Sequence, residues 1–333
     1  MLQLGYQVSQ NVFPGKACVN NAGDPYVGTY YRVNSHEEER QLIQNFCRYF
    51  LYENQKDMWG YCASGSTEGI LHGLWTARKR FPTGTPVVAS EHCHFCVPKI
   101  ADMLCMPFVS VPDKYSLQEE VQKYPHAAVV LTLGSTIRNV YDPPVKSNDH
   151  VHVHLDGAFG GVITDLSAYE PFDSFNVSFH KFLGCPFPCA LYLTRKKLIS
   201  SLQGVGCFGK DMVCLPNKDF TVSCSRNGTA VSMMNELLNR PDFLKTHEMN
   251  VNNCFKNKTF LTVLLEKKGI KFRTNPEGLS VELFGIKTDP TKYGLSVRNV
   301  QDDGSFDTHV FVVSHVDTKI LTEFVETLLI SQS

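Results

Sequence analysis

Short apolar runs alternate with segments of helical spacing along the middle of this chain. The runs contain mostly Val, Ala, Leu and Phe, have the length of strands, and lie at 86–90, 108–111, 128–132, 151–155, 175–177 and 190–193. Between them, 70–80 and 97–103 have the spacing of helices. Strands that alternate with helices form a mainly parallel sheet covered on both faces. The alternation therefore predicts an α/β fold.

The chain has a different pattern on either side of this region. Residues 1 to about 40 are rich in Asn, Gly, Pro and Tyr and show weak periodicity, which is typical of an arm with short turns. After about residue 236 we expect a long helix, two strands and a last helix, at 243–267, 279–283, 309–313 and 319–330. The predicted parts are an N-terminal arm at 1–40, a large domain at 41–235 and a small C-terminal α/β domain at 236–333.

Composition restricts the partners and the compartment. The chain has 333 residues, a formal net charge of -1 and no long basic run, which argues against nucleic acid or an anionic membrane as a partner. No apolar run reaches the ~20 residues of a membrane span, and the first residues lack the pattern of a signal peptide. The 12 cysteines are scattered, and we expect Cys47, Cys105 and Cys254 to be small core residues. These features predict a cytoplasmic protein.

The segment from Ser64 to Gly69 has the composition of a phosphate-binding turn. Its sequence, Ser-Gly-Ser-Thr-Glu-Gly, lies between a short strand and a helix. Small residues let the backbone approach an anion, the helix N-terminus provides free N–H groups, and hydroxyls add donors. A plain helix cap is the alternative interpretation. The candidate phosphate-binding residues are Gly65, Ser66 and Thr67.

A lysine and an aspartate follow two of the predicted strands. Asp156 ends the strand at 151–155, and Lys181 comes three residues after Ser178 and directly after His180. A lysine in this context is typical of a Schiff base with pyridoxal 5′-phosphate (PLP), and the aspartate would keep the pyridine nitrogen of PLP protonated. We expect this lysine to be buried, where an unpaired charge is costly and a Schiff base removes that cost. A surface lysine that follows a strand is the alternative.

Other polar residues belong to the same predicted site. His94 follows the strand at 86–90 and is placed to lie flat against the pyridine ring, although a histidine of the core or surface is the alternative. Ala158 is small enough to leave room at the opposite ring face, and Ser178 can direct its hydroxyl to the phosphate. Thr136 follows another strand, and ligands of parallel sheets bind at the carboxyl ends of strands.

Two histidine-rich segments contain potential metal ligands. In the segment 92–96, His-Cys-His-Phe-Cys, the ligands are adjacent and no second ligand pair follows at zinc-like spacing. His150, His152 and His154 alternate on one face of a strand that leads to Asp156. This alternation favours a packed or partly exposed histidine ladder. We predict no metal site in either segment.

Taken together, these motifs resemble the group II PLP-dependent amino-acid decarboxylases. The resemblance extends from Leu4 to about Leu329 and is closest to the branch of PLP-type bacterial histidine decarboxylases and plant serine decarboxylase-like enzymes. The matching motifs are Asn-Ala-Gly-Asp-Pro at 21–25, Trp-Gly-Tyr at 59–61, the turn at 64–69, Leu-His-Gly at 71–73, Ser-Phe-His-Lys-Phe-Leu-Gly-Cys-Pro at 178–186, Pro-Cys at 188–189 and Ser-Arg-Asn-Gly at 225–228.

The resemblance implies a fold, a cofactor and roles for individual residues. It implies the PLP-dependent transferase-like fold of aspartate aminotransferase type I, with PLP as the cofactor. Lys181 would form the Schiff base, Asp156 would contact the pyridine nitrogen, and His94 would stack on the ring. Ser225 would approach the cofactor of a partner subunit, in a homodimer with shared active sites. The residues around the phosphate would be Ser66, Thr67, Ser178 and His180.

The chain departs from this family at several positions. Only a few residues separate Asp142 from Val151, where relatives usually carry a helix and where a parallel crossover normally needs a dozen or more residues. The segment Gly204–Phe220 corresponds to a loop that closes over substrate, but it lacks the tyrosine that in many relatives delivers a proton to Cα. The other departures, where the branch often has His, Asn and His, are Asn34, Ile70 and Thr229.

The resemblance implies an amino-acid decarboxylase, with conversion of histidine to histamine as the leading reaction. Serine and aromatic amino acids are alternative substrates. A cysteine desulfurase is an alternative reaction, because its lysine also follows a histidine and Cys207 or Cys214 could supply the loop cysteine that it needs. A catalytically weak descendant that still binds PLP is the alternative outside enzymes, and the absent loop tyrosine favours it.

Overall fold

The protein is described by a computed structural model over residues 19–51, 57–113, 115–199, 202 and 219–330. The chain forms two compact units. The first contains the described residues up to Thr132 together with Pro143–Pro241, and the second contains Leu133–Asp142 together with the described residues from Asp242 onward. Within these ranges, no helix combines the length and the apolar character that crossing a membrane requires.

The strands of the first unit form one large sheet and one small strand pair. In chain order they are β1 (Asn20–Ala22), β2 (Met58–Ala63), β3 (Val87–Ser90), β4 (Phe108–Val111), β5 (Ala127–Thr132), β6 (Val151–Asp156), β7 (Ser174–Ser178), β8 (Ala190–Arg195) and β9 (Ser225–Asn227). The large sheet has the order β2-β8-β7-β6-β5-β3-β4, and β1 pairs with β9. Strands β7, β6, β5, β3 and β4 are parallel, whereas β8 is antiparallel to both β7 and β2. The prediction of a mainly parallel sheet is confirmed.

The helices of the first unit pack on this sheet and on one another. They are α1 (His36–Phe46), which continues as a π-helical turn at Cys47–Leu51, α2 (Ser66–Arg80), α3 (Cys96–Met103), α4 (Leu117–Val121), α5 (Lys196–Ile199) and α6 (Gly228–Leu238). Ile70 and Leu74, one turn apart on α2, are buried in one cluster with Val97 of α3 and Val130 of β5. Burial of an aliphatic side chain of this size contributes about 1.5–3 kcal/mol, so this apolar cluster fixes the two helices on the sheet.

Two glycines allow α2 to lie close to β6 and β7. A Cβ atom on Gly69 would be 2.7 Å from the Cβ atom of Asn176, and a Cβ atom on Gly73 would be 2.4 Å from His154 Nδ1. Real Cβ atoms essentially never come this close to a neighbouring atom, so these two positions need glycine. The glycines are four residues apart and therefore share one face of the helix. That face covers polar side chains of the sheet.

A buried ion pair joins the two short strands to the rest of the first unit. Arg226 of β9 contacts the Glu39 carboxylate of α1, and both side chains are almost fully buried. Arg226 also donates to the carbonyl oxygens of Cys62 (3.2 Å) and Gly23 (2.5 Å). The Asn21 side chain donates to the other Glu39 oxygen at 2.9 Å. The segment from 225 to 228 is thus bound to the N-terminal residues of the same chain.

The second unit is a small antiparallel sheet packed on two helices. Its elements are β10 (Phe272–Thr274), β11 (Ser280–Lys287), β12 (Phe306–Phe311), β13 (Leu329–Ile330), α7 (Phe243–Lys267), α8 (Pro290–Tyr293) and α9 (Thr318–Thr327). Leu261 of α7, Val281 of β11 and Phe324 of α9 are buried in its core. The segment 133–142 belongs here because Asn139 Oδ1 accepts from Leu279 N at 2.8 Å. The predicted bounds of the long helix are confirmed at both ends.

Two expectations about connections and burial have clear outcomes. The connection between the parallel strands β5 and β6, residues 133–150, contains turns and no helix, as the short crossover predicted. Cys47 and Cys254 are buried, but the expectation that Cys105 is a core residue is wrong, because its side chain is exposed. Cys105 has a positive φ of 53° just after α3 ends, so the chain reverses there at the surface. None of the nine cysteines within the described residues forms a disulfide with another of them.

Candidate active site

Two adjacent parallel strands end on polar side chains. Asp156 is the last residue of β6 and lies in register with Asn176 of β7, and Ser178 is the last residue of β7. Asp156 and Ser178 are buried. The Asp156 Oδ1 atom accepts hydrogen bonds from Asn176 Nδ2 (3.0 Å) and from the backbone N–H of Ala158 (3.2 Å). Both donors are neutral, so the carboxylate is held in place without a cationic partner.

The N-terminus of α2 meets the end of β7. The Ser66 and Ser178 hydroxyl oxygens are 2.7 Å apart. Gly65 precedes the helix in an extended conformation, and no side chain caps the first turn. The carboxylate of Glu68, in the same turn, is occupied by the backbone N–H of Ser64 (2.9 Å). The first N–H groups of α2 and the hydroxyl of this pair that does not donate to the other are therefore available to an anion at this position.

Lys181 lies in the turn that follows β7. Its backbone N–H donates to Ser178 O at 3.4 Å, and Gly184 completes the turn with a positive φ of 70°. The side chain of Lys181 is exposed in this chain. The expectation of a buried lysine is therefore wrong for the single chain, because the turn places the residue beyond the end of the sheet rather than within it.

His94 faces the same space as Asp156 and Lys181. Burial lowers the pKa of the half-buried His94, the Asp156 charge raises it, and the Lys181 charge lowers it. His94 Nδ1 accepts from the backbone N–H of Cys96 at 3.2 Å, which assigns the ring proton to Nε2. The imidazole is therefore neutral and oriented by α3.

His180 and Ala158 are fixed by backbone contacts around the strand ends. His180 Nδ1 lies 3.0 Å from the carbonyl oxygen and 3.2 Å from the nitrogen of Cys189, the residue before β8. The Ala158 carbonyl accepts from Ser178 N at 3.1 Å. Gly157 is required in this turn, because a Cβ atom there would be 2.6 Å from the ring of Phe175. The turn after Asp156 thus lies directly against the end of β7.

The remaining predicted residues lie in other segments of the chain. Thr136 is exposed and lies in the segment 133–142, which belongs to the second unit. Ser225 is exposed in β9, where its hydroxyl accepts from Asn20 Nδ2 at 3.1 Å. Cys207, Cys214 and most of the segment 204–220 lie outside the described residues.

Sequence reasoning missed a chain of buried polar residues behind Asp156, on the face that α2 covers. Asn176 Oδ1 lies 2.7 Å from His154 Nε2, and His154 Nδ1 lies 2.8 Å from Ser174 Oγ. Ser174 Oγ lies 3.2 Å from His152 Nε2. We call these five residues, from His152 to Asp156 through Ser174, His154 and Asn176, the Asp156 chain. Its signal in the sequence is the matching alternation His-x-His-x-Asp in β6 and Ser-x-Asn-x-Ser in β7.

The structure assigns different environments to the histidines that were considered as metal ligands. His152 and His154 are fully buried within the Asp156 chain, whereas His150 is exposed at the start of the strand. His92 Nε2 lies 2.5 Å from Asp113 Oδ1, and the two form a surface cluster with Glu91. His92 and His94 therefore have different partners and do not converge on one point.

The sequence and the fold have counterparts among known proteins. No family model matches the chain. Over 277 residues it is 30% identical to serine decarboxylase 1 of Oryza sativa subsp. japonica, which covers 76% of this chain and 56% of that protein. Over 329 residues it is 26% identical to a histidine decarboxylase of Vibrio anguillarum, which covers 91% of this chain and 81% of the relative.

A solved structure of L-methionine decarboxylase from Streptomyces sp. 590 superposes with a TM-score of 0.75 at 19% identity, covering 92% of this chain and 85% of that one. The large mixed sheet and the small C-terminal sheet are those of the fold type I, PLP-dependent transferase-like class. Within that class, the chain belongs to the group II PLP-dependent decarboxylase family. It spans 56% of the length of the Oryza serine decarboxylase 1.

Proposed function

We propose that this chain is a PLP-dependent carboxy-lyase that converts an L-amino acid to its amine and CO₂, with histidine to histamine as the leading reaction. One observation carries the proposal. The carboxylate of Asp156, the paired hydroxyls of Ser66 and Ser178, and the turn with Lys181 meet at the carboxyl ends of β6 and β7. Family membership supports the same class of reaction.

The residues of the first unit fit PLP at both ends of the cofactor. The Oδ1 atom of Asp156 is occupied by two neutral donors, which leaves Oδ2 to accept from a protonated ring nitrogen. The uncapped first turn of α2 suits a phosphate dianion. The residues that would surround the phosphate are Gly65, Ser66, Thr67, Ser178 and His180. Ala158 would leave room at one face of the ring and His94 would occupy the other.

When bound, PLP withdraws electrons from the bonds at the substrate α-carbon. Asp156 would hold a proton at the pyridine nitrogen and so maintain that electron withdrawal. Lys181 would hold the cofactor covalently until the substrate amine replaces it. His94, which is neutral because its Nδ1 accepts a hydrogen bond, can lie against the ring without repelling the pyridinium charge. Its Nε2–H is available to donate a proton on that side.

The similar proteins are named for different substrates. The names of the relatives include serine and histidine decarboxylases, and the similar structure is a methionine decarboxylase. Histidine leads because the sequence motifs resemble the histidine decarboxylase branch. Serine and aromatic amino acids are the alternatives.

The same site could serve two other functions. A cysteine desulfurase would need Cys207 or Cys214 near the substrate. A catalytically weak PLP-binding descendant is favoured by the helix-free connection between β5 and β6 and by the loop sequence that lacks tyrosine.

We further propose a homodimer with shared active sites. Lys181 and Thr67 are exposed in the single chain, which a partner subunit could cover. Ser225 would contribute to the partner's cofactor, and residues 1 to about 34 would belong to the interface. Sedimentation of the full chain and of a variant without these residues tests this assembly; a monomer that still binds PLP and turns over substrate would reject the shared sites.

The function is tested by adding PLP to the purified protein and recording visible absorbance, followed by assays for amine and CO₂. The panel contains histidine, serine, methionine, aromatic amino acids and cysteine. Release of CO₂ and amine from one of them supports the proposal. Absorbance without any product would favour the weak descendant, sulfide and alanine from cysteine would favour the desulfurase, and failure to bind PLP would reject all three.

A further inference from the structure

The Asp156 chain forms a continuous polar path through the interior of the first unit. Its five residues are buried: His152, His154, Ser174 and Asn176 are fully inaccessible, and Asp156 is 4% exposed. They come from alternate positions of β6 and β7, so they share one face of the sheet. Gly73 of α2 has no side chain where the helix crosses His154 and Ser174.

The contacts determine which atom donates at each step. Asn176 uses Nδ2 to donate to the Asp156 carboxylate, so its Oδ1 must accept from His154 Nε2. Burial lowers the pKa of His154 to about 4, so the ring is neutral and Nδ1 is an acceptor for the Ser174 hydroxyl. The Ser174 oxygen is left to accept from His152 Nε2. Each donor therefore points along the chain toward Asp156.

The reverse arrangement would require a different charge on Asp156. If every hydrogen bond ran the other way, the Asn176 carbonyl would face the Asp156 oxygen. Two acceptors in that position repel each other unless Asp156 is protonated. The direction of the hydrogen bonds and the charge of Asp156 are thus linked, and aligned hydrogen bonds strengthen each other in a medium of low dielectric constant.

The other end of the Asp156 chain, at His152, does not place an unbalanced charge near His154. His152 Nδ1 lies 3.8 Å from Asp173 Oδ2, and Asp173 Oδ1 lies 3.4 Å from Arg80 Nη1. The opposite charges of Asp173 and Arg80 therefore balance each other. The Tyr192 phenol lies beside Ser174, and burial raises its pKa, so it stays uncharged.

We propose that Ser174 and His154 are positioning residues that act on Asp156 through Asn176. They hold the Asn176 amide with its NH₂ group toward Asp156, which keeps Asp156 a carboxylate directed at the ring nitrogen of PLP. This inference rests on the proposed function, because it needs a cofactor with a protonated ring nitrogen. It assigns to these two residues an effect on the cofactor that they do not touch.

The test compares two ligands that differ at one atom. PLP has a ring nitrogen, whereas its 1-deaza analogue has carbon at that position, so only PLP can use the Asp156 charge. The dissociation constants of both ligands are measured on the parent, Ser174→Ala and His154→Phe. We expect the parent's preference for PLP over the analogue to fall about tenfold in each variant, which is about 1.4 kcal/mol. With PLP labelled at the ring nitrogen, the ¹⁵N chemical shift in each variant should move from the parent's value toward the value of an unprotonated ring nitrogen.

Thr194→Val is the matched control. Thr194 lies in register with Ser174 on β8, is fully buried, and donates its hydroxyl to Asp173 O at 2.9 Å. This variant should keep the parent's preference. A loss of affinity that is equal for both ligands in folded Ser174→Ala would overturn the inference and leave the proposed function standing. A parent protein that binds no PLP would overturn both, and if His154→Phe does not fold, Ser174→Ala decides alone.

Discussion

Two buried polar clusters of the first unit differ in how their charges are balanced. One is the Asp156 chain, and the other is the Glu39 cluster, which consists of Asn21, Glu39, Cys62 and Arg226. In the Glu39 cluster a carboxylate and a guanidinium contact each other directly, and the Asn21 amide and backbone groups make the other hydrogen bonds. In the Asp156 chain one carboxylate is held only by neutral donors.

The two clusters also differ in what they connect. The Glu39 cluster joins β1, α1, β2 and β9, and its charges are satisfied within the protein. The Asp156 chain runs along β6 and β7 and ends at the carboxyl end of β6, where the second carboxylate oxygen of Asp156 is left to accept from a ligand. A buried charge is costly without an opposite charge. The difference indicates that the Glu39 cluster stabilises the fold, and it supports the proposal that Asp156 binds the cationic ring of PLP.

The largest effect is expected at the lysine that would hold that cationic cofactor. Lys181→Ala should abolish covalent attachment of PLP, because Lys181 is the lysine in the turn after β7, next to Ser178. The fold should be retained, since the side chain is exposed. Borohydride reduction followed by mass spectrometry measures the attachment. Lys99→Ala is the control, because Lys99 also affects the pKa of His94 but lies on α3. Reducible PLP on the Lys181 variant would identify another lysine.

The next prediction concerns the unbalanced carboxylate itself. Asp156→Asn should remain folded with PLP bound, yet turnover should fall by several orders of magnitude, because a neutral amide cannot hold the pyridinium proton. Its free energy of unfolding without PLP should not decrease, since no ion pair is lost. Steady-state kinetics and denaturant unfolding measure both quantities. Turnover within about tenfold of the parent, about 1.4 kcal/mol of barrier, would contradict the role of Asp156.

The balanced cluster should respond in the opposite way. Glu39→Gln leaves Arg226 buried without its counter-charge, and breaking a buried pair in this manner costs about 3–5 kcal/mol. The free energy of unfolding should fall by that amount in denaturant titration. Glu37→Gln, on the exposed side of the same helix where Glu37 contacts Arg40, should change little. If Glu39→Gln is as stable as the parent while Asp156→Asn unfolds, the comparison between the clusters is reversed.

The sequence predicts the local parts of this fold well because local spacing determines them. The bounds of α7 and the positions of β5 and β6 follow from periodicity in short windows. Periodicity does not predict the antiparallel direction of β8. It also does not predict that 133–142 belongs to the second unit. The latter depends on long-range contacts such as that between Asn139 and Leu279, which no local pattern encodes.

The candidate site shows the same division. Asp156, Ser178 and the turn at 64–69 were recognisable because strand ends and small residues mark ligand sites. Asn176 was missed because it lies within a strand, and its partner His154 was interpreted only as part of a ladder. The exposure of Lys181 could not be predicted, since it depends on the turn geometry and on whatever covers the site.

The smallest effect is expected at a histidine that belongs to neither cluster. His72 is fully buried among Trp59, Tyr61 and Tyr192, and its ring stacks on Tyr192 with centroids 4.4 Å apart. Within the described residues neither ring nitrogen has a hydrogen-bond partner. Burial lowers the pKa of His72 to about 3. His72 therefore differs from His154, whose two nitrogens are both bonded.

This difference predicts the pH dependence of stability. In the unfolded chain His72 takes up a proton below about pH 6.5, whereas in the folded protein it stays neutral until about pH 3. Stability is therefore lost as the pH falls below 6.5. His72→Phe keeps the aromatic stacking and removes this proton uptake, so between pH 7 and about pH 5.5 the parent should lose about 1 kcal/mol more than the variant. Urea titrations at the two pH values measure the difference. Equal losses of stability in the parent and in His72→Phe would mean that His72 is protonated inside the fold. The absence of hydrogen-bond partners would then not distinguish His72 from the histidines of the Asp156 chain.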